Sequence, residues 1–226
     1  MAGKMVEFPS NGGTTSGYLA TPDGGKGAGV IVLQEWWGLL PHIKDVCDRF
    51  ANVGYVALAP DLYHGQKTKS PDEAGKLMMA LQIDQAEKDM RGAANYLLEL
   101  DSTTGNKVGT VGFCMGGVLS LYAATKNPQQ VGACVIYYGI HPNVHPDLPN
   151  LQAPVLGFYA EKDAYVTPEH ARELEKKLKD LGKSVEIHIY PGVDHAFFNN
   201  EREVYDEHAA KDSWNRMLKF YEAHLK

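Results

Sequence analysis

Cys114 lies in the segment Val108-Gly109-Thr110-Val111-Gly112-Phe113-Cys114-Met115-Gly116-Gly117, a thiol with a glycine two residues away on each side. The apolar run ending at Phe113 reads as a strand and the run after Gly116 as a helix, which is the pattern of a nucleophile elbow carrying sulfur instead of a hydroxyl. Such a turn is cramped, and Gly112 and Gly116 lack the Cβ atoms that would collide in it. The helix N-terminus behind the turn favours negative charge and so suits both a thiolate and an oxyanion. Taken alone the motif is weak, because free cysteine packs readily as a small apolar group. Cys47, in the helical run Ile43–Asn52, and Cys134, in the apolar run Gly132–Tyr138, read as packing of that kind.

A thiol nucleophile needs a base to take its proton and a third group to fix the base's tautomer. Asp163 and His195 meet the requirement. Each follows a predicted strand, and the order nucleophile, acid, histidine is that of the α/β-hydrolase elbow. His195 has Gly192, Asp194, Phe197 and Phe198 around it, whereas His170, His208 and His224 fall on helices and read as surface residues. Asp194 competes with Asp163, but its adjacency to His195 makes pairing with the ring awkward. Glu35 follows the apolar run Gly29–Leu33 and precedes Trp36 and Trp37, where desolvation should raise its pKa. The plainer reading is a carboxylate bonded to nearby backbone N–H groups.

The elements that must position these groups alternate. Val6–Phe8 and Thr14–Ala20 read as an opening hairpin around Asn11-Gly12-Gly13. Ala28–Leu33, Tyr55–Ala59, Lys107–Phe113, Ala133–Tyr138, Pro154–Tyr159 and Val185–Tyr190 read as buried strands. Asp84–Leu100, Pro168–Leu181 entered through Thr167, Asp206–Leu225, Asp72–Leu81, His42–Asn52 and the run after Cys114 read as helices. This is the pattern of a mostly parallel sheet covered on both faces, and residues 1–226 are expected to form one α/β domain. In such sheets ligands bind beyond the C-terminal strand ends, where Glu35, Cys114, Asp163 and His195 all fall.

Composition narrows the function. A chain of 226 residues, 44% hydrophobic, is long enough for a sizeable core. Its net charge of -6 argues against a nucleic-acid partner, which would need clustered Lys and Arg. No apolar run approaches a membrane span, and no secretory leader pattern opens the chain. Three cysteines at no framework spacing argue against a disulfide scaffold, so a cytoplasmic protein is expected.

Taken together, Gln34-Glu35-Trp36-Trp37-Gly38, Pro60-Asp61-Leu62-Tyr63, Gly112-Phe113-Cys114-Met115-Gly116-Gly117, Asp163 and Asp194-His195 resemble the dienelactone hydrolase (carboxymethylenebutenolidase-like) family. The resemblance spans nearly the whole chain and implies an α/β-hydrolase fold. It implies Cys114 as nucleophile, His195 as base, Asp163 as its orienting acid and Glu35 as acceptor of the thiol proton when substrate binds. The α/β-hydrolase arrangement also assigns an oxyanion hole to the N–H groups of Trp36 and Met115. Trp36, Trp37, Tyr63, Tyr138, Phe197 and Phe198 are the expected aromatic lining of a substrate pocket, and each is equally a candidate for the core.

The chain departs from the family at one point. Family members acting on dienelactone bind its carboxylate with arginines, one just after the histidine and one after the Pro-Asp-Leu-Tyr segment. Here Ala196, Phe197, Phe198, Asn199 and Asn200 follow His195, with Arg202 only later, and Lys67–Leu81 offers Lys67, Lys69 and Lys76. A lysine point charge is not a bidentate guanidinium, so the resemblance does not carry a preference for an anionic lactone.

The expected activity is cofactor-free hydrolysis of a small-molecule lactone or activated ester, by a monomer or small homo-oligomer. The alternatives are a broad carboxylesterase or thioesterase, and a redox-sensing protein in which Cys114 is oxidised. A sensor needs no Asp-His pair, and no resolving cysteine lies near Cys114 in the chain. His141, His145 and Asp147 suggest a zinc loop, although Pro142, Pro146 and Pro149 make the segment irregular and the hydrolytic chemistry needs no metal.

Overall fold

Successive side chains of a strand point to opposite faces, so a strand buried on both sides needs cover on both. In the computed structural model, which describes residues 3–10 and 12–226, this rule organises the whole chain. Strand β3 (Gly27–Leu33) sends Val30 and Val32 to one face and Ile31 and Leu33 to the other. Strand β4 (Tyr55–Pro60) divides Ala57 and Ala59 from Val56 and Leu58 in the same way.

Eight strands among the described residues form one sheet in the order β1-β2-β4-β3-β5-β6-β7-β8. Strands β1 (Lys4–Ser10) and β2 (Gly13–Ala20) make the expected antiparallel hairpin, paired out to Ser10 and Gly13; Asn11 of the expected turn lies outside the described residues. β2 runs antiparallel to β4 as well. From there β3, β5 (Thr103–Phe113), β6 (Val131–Tyr137), β7 (Val155–Ala160) and β8 (Val185–Tyr190) are all parallel. β5 begins earlier than its apolar pattern suggests, because Thr103 and Thr104 pair with Gly27 and Ala28 before a bulge resets the register. β6 stops one residue short of Tyr138, whose φ of 39° turns the chain out of the sheet.

One face is covered by α1 (Pro41–Asn52) and α6 (Glu207–Leu225). α1 presents Ile43, Val46, Cys47 and Phe50 at helical spacing to the sheet, and complete burial of a side chain such as Phe50 is worth roughly 1.5–3 kcal/mol. α6 adds Trp214, Met217 and Tyr221, and its start is capped by Asp206, which accepts the Ala209 N–H at 2.8 Å. The other face carries α3 (Ile83–Glu99), α4 (Met115–Lys126) and α5 (Pro168–Asp180). Thr167 stands at the cap position of α5 as expected, but its side chain does not cap the helix.

The short helix α2 (Pro71–Ala80) is different: Ala74 is its one fully buried residue. All three cysteines are free and buried, Cys47 and Cys134 completely. Among the described residues no helix is long and apolar enough to cross a membrane.

Candidate active site

After β3 the chain moves to β4 on one side and then to β5 on the other, with α1 and α3 on opposite faces. Such a reversal opens a crevice beyond the strand ends. Glu35 follows β3 and Cys114 follows β5, so both stand at this crevice. Asp163 follows β7 and His195 follows β8 on the same edge.

The elbow is as tight as its glycines imply. Cys114 has a φ of 53°, in the left-handed region that side chains other than glycine rarely adopt, and it opens α4. A Cβ on Gly112 would strike the Gly116 carbonyl, and one on Gly116 would strike the Leu33 carbonyl. The turn is pinned by Cys114 N–H donating to Tyr137 O at 3.0 Å and by Gly117 N–H donating to Cys114 O at 2.9 Å. Met115 is the first residue of α4, so its N–H is one of those with no acceptor inside the helix. Trp36 sits in the turn after β3 that Gly38 N–H closes onto Glu35 O at 3.4 Å.

Asp163 and His195 meet across 32 residues of sequence, with His195 Nδ1 2.7 Å from Asp163 Oδ2. Asp163 is locked in turn: its Oδ1 accepts the N–H groups of Tyr165 and Val166 at 2.8 and 2.9 Å. Burial opposes a charge on His195, but its hydrogen bonds to Asp163 and Cys114 outweigh burial and push the imidazole up to about 10. Asp194 takes no part in this pairing, since its Oδ1 accepts the backbone N–H of His195 at 2.7 Å.

Glu35 is 4% exposed, and burial pushes its carboxyl up to about 7, against the opposing pull of a 2.8 Å hydrogen bond from Asn199 Nδ2. Sequence reasoning missed Asn199. Its amide is fixed by accepting the Glu201 N–H on Oδ1, and a partner 164 residues from Glu35 leaves no local signal.

A cavity of about 380 Å³ brings Glu35, Cys114 and His195 together. Its walls are Trp36, Trp37, Met78, Ile140, Pro142, Tyr165 and Val204, with Asp194, Ala196 and Arg202 also at the surface. Of the six expected pocket aromatics, Trp36 and Trp37 line this cavity and the other four do not. Phe197 and Phe198 are fully buried in the core, where Phe198 stacks on Phe113 at 5.0 Å. Tyr138 is buried behind His195 with ring centroids 4.9 Å apart, and Tyr63 is buried with its hydroxyl on the Met115 sulfur at 3.2 Å. The loop after β8 turns its aromatics inward because Ala196, with a φ of 64°, reverses the chain.

Arg202 reaches the cavity from seven residues beyond His195 and lies over the Trp37 ring at 4.9 Å. The zinc reading of His141 fails on its hydrogen bonds. Nε2 lies 3.0 Å from Met78 O and Nδ1 accepts the Asn143 N–H at 3.0 Å, so both ring nitrogens are committed to backbone.

The model of the dienelactone hydrolase family matches residues 15–225. The chain belongs to the dienelactone hydrolase family. It is 43% identical over 230 residues to Protein usf of Aquifex pyrophilus, covering 99% of each chain. A protein of Aquifex aeolicus provisionally named carboxymethylenebutenolidase is 38% identical over 231 residues, covering 99% of this chain and all of the relative. Among solved structures, a provisionally assigned dienelactone hydrolase from Klebsiella pneumoniae superposes with a TM-score of 0.88 at 32% identity, covering 98% of this chain and 99% of the other. The chain is thus a hydrolase of the dienelactone hydrolase type on the α/β-hydrolase fold.

Proposed function

We propose that the protein hydrolyses small-molecule lactones or activated esters through a thioester on Cys114, with no cofactor and no macromolecular partner. The observation that carries this reading is the 2.7 Å Asp163–His195 pair, whose imidazole shares one cavity with a thiol at a strained turn opening a helix.

The chemistry divides the residues. Cys114 Sγ as thiolate attacks the carbonyl carbon, and the oxyanion is held by the N–H groups of Met115 and Trp36. Collapse breaks the acyl–oxygen bond, and the departing alkoxide or enolate takes a proton from the His195 imidazolium. A thiolate is itself readily expelled from the tetrahedral adduct, so the reaction favours a stabilised leaving group such as an enolate. Neutral His195 then takes a proton from water, the hydroxide attacks the thioester, and Cys114 leaves as thiolate.

The protonation states give Glu35 a role. An imidazole held protonated up to about 10 is a poor acceptor for a thiol proton at neutral pH, whereas a carboxyl at about 7 in the same cavity is poised to take one. Trp36, Trp37 and the apolar wall fit a bulky acid portion, and the name of the Aquifex aeolicus relative is of the same reaction class. The width of the cavity also supports a second reading, a carboxylesterase or thioesterase of broad specificity on the same machinery.

The test is to quench a reaction with a p-nitrophenyl ester in acid and digest the protein. An acyl adduct on the peptide carrying Cys114 is expected, together with loss of at least ~10⁴-fold in kcat for Cys114→Ala. Full activity in Cys114→Ala, or an adduct on Cys47 or Cys134, ends the assignment.

A further inference from the structure

His141 is a buried histidine that the hydrolytic chemistry does not use, and its surroundings give it another task. It lies in the loop after β6 between Ile140 and Pro142, both of which face the candidate-site cavity. That loop is anchored to the elbow, because Ile140 N–H donates to Cys114 O at 3.1 Å. Met78, on the last turn of α2, lines the same cavity.

The hydrogen bonds decide the ring's tautomer. Asn143 N–H donates to Nδ1, so Nδ1 is the bare nitrogen and the proton sits on Nε2. Nε2–H therefore donates to Met78 O, a carbonyl at the end of α2 that also accepts the Leu81 N–H at 3.3 Å. Burial disfavours a second proton on the ring, which keeps this arrangement at neutral pH. α2 has few other holds: the fully buried Ala74, the partly buried Leu77 and Met78 against the core, and a Thr68–Glu73 side-chain bond at its first turn.

We propose that His141 is a positioning residue, a strut joining the β6 loop to α2, which fixes the width of the cavity and so sets the size of the acyl or leaving group admitted. The proposal rests on reading this cavity as the hydrolytic site. It makes α2 the selectivity wall and places its anchor outside the reacting groups.

Two replacements separate the two halves of the ring. In His141→Asn the amide oxygen stands near the position of Nδ1 and accepts from Asn143, but the side chain is too short to reach Met78. In His141→Gln the amide nitrogen stands near the position of Nε2 and keeps the bond to Met78 O. The readouts are ratios of a bulky to a small probe: kcat/KM for 1-naphthyl butyrate over phenyl acetate, and the rate of Cys114 alkylation by N-(1-naphthyl)maleimide over iodoacetamide. His141→Asn is expected to raise both ratios roughly fivefold, the factor that one hydrogen bond is worth, while His141→Gln stays near wild type.

Wild-type ratios in both variants, or an equal shift in both, overturn the strut. Should His141→Asn fail to fold, the long-range ¹H–¹⁵N spectrum of the wild-type His141 ring reads the strut directly: a neutral ring with its proton on Nε2 and protected from exchange supports the proposal, and a ring protonated on Nδ1 overturns it. Absence of alkylation at Cys114 counts against the nucleophile alone, because the ester ratio reads the cavity whichever group attacks.

Discussion

The floor and the outer wall of the cavity are built on opposite principles. The floor is Glu35, Cys114 and His195 with Asp163 behind the histidine, each held within five residues of the end of a parallel strand and tied by hydrogen bonds to backbone, to one another or to Asn199. The wall is α2, Tyr165 and Val204, the last two exposed, and α2 is joined to the rest by few contacts. A packed sheet allows few alternative positions, so groups that must be aligned to tenths of an ångström belong on it. Groups that only need to accommodate a substrate belong on elements of low local stability.

The contrast breaks most visibly at Asp163. Asp163→Asn should leave the fold intact and lower kcat about 10³-fold, because the amide no longer fixes the imidazole tautomer. With the carboxylate gone, burial is opposed by Cys114 alone, so the His195 pKa should fall well below about 10, as an NMR titration of the ring would show. Protonated His195 stabilises the fold fully below pH 6.5, and that contribution fades as pH rises through about 10. The variant should lose this alkaline decline. A His195 signal that still titrates near 10 would mean that Asp163 is not its determining partner.

The same division explains what the amino-acid sequence disclosed. Floor residues sit at strand ends and carry local marks: glycines around Cys114, an apolar run before Glu35, a turn of Gly and Asp before His195. Each mark reflects a short-range steric or electrostatic need, so Cys114, Asp163, His195 and Glu35 were legible as a group. Wall residues have no such mark. Tyr165, Val204, Met78 and Arg202 are neighbours only because the folded sheet brings three separate segments to one edge. Phe197 and Phe198 look like wall residues in the chain and are core in the structure, because side-chain direction in an irregular loop follows from a single residue, Ala196, at positive φ. The fold was more legible than the site, since strand alternation and helical period repeat over many residues.

Glu35 tests whether the floor carries a stability cost. Its carboxyl titrates at about 7 in the folded protein against an ordinary 4.5, so between these values the folded chain holds more protons than the unfolded one and stability falls as pH rises. Above pH 7 the cost is complete, at most about 3 kcal/mol. Glu35→Gln should therefore be more stable than wild type in urea at pH 8 and nearly equal to it at pH 4.5, while its thiol activation is slower. Equal stability at both pH values would place the carboxylate in an environment that already compensates its charge.

The wall gives the smallest effect and the sharpest contrast. Tyr165 is 67% exposed and meets the His195 ring edge-on at 5.3 Å, so Tyr165→Ala should change stability by no more than about 0.5 kcal/mol. An aromatic contact is worth ~0.5–1.5 kcal/mol, which for an aryl substrate resting on the ring corresponds to a KM raised roughly twofold to thirteenfold. With Asp163 intact, the imidazole keeps its tautomer and kcat should barely move. A fall in kcat approaching that of Asp163→Asn, without a change in KM, would transfer Tyr165 from the wall to the floor, because only a group that orients His195 can lower the rate of a substrate already bound.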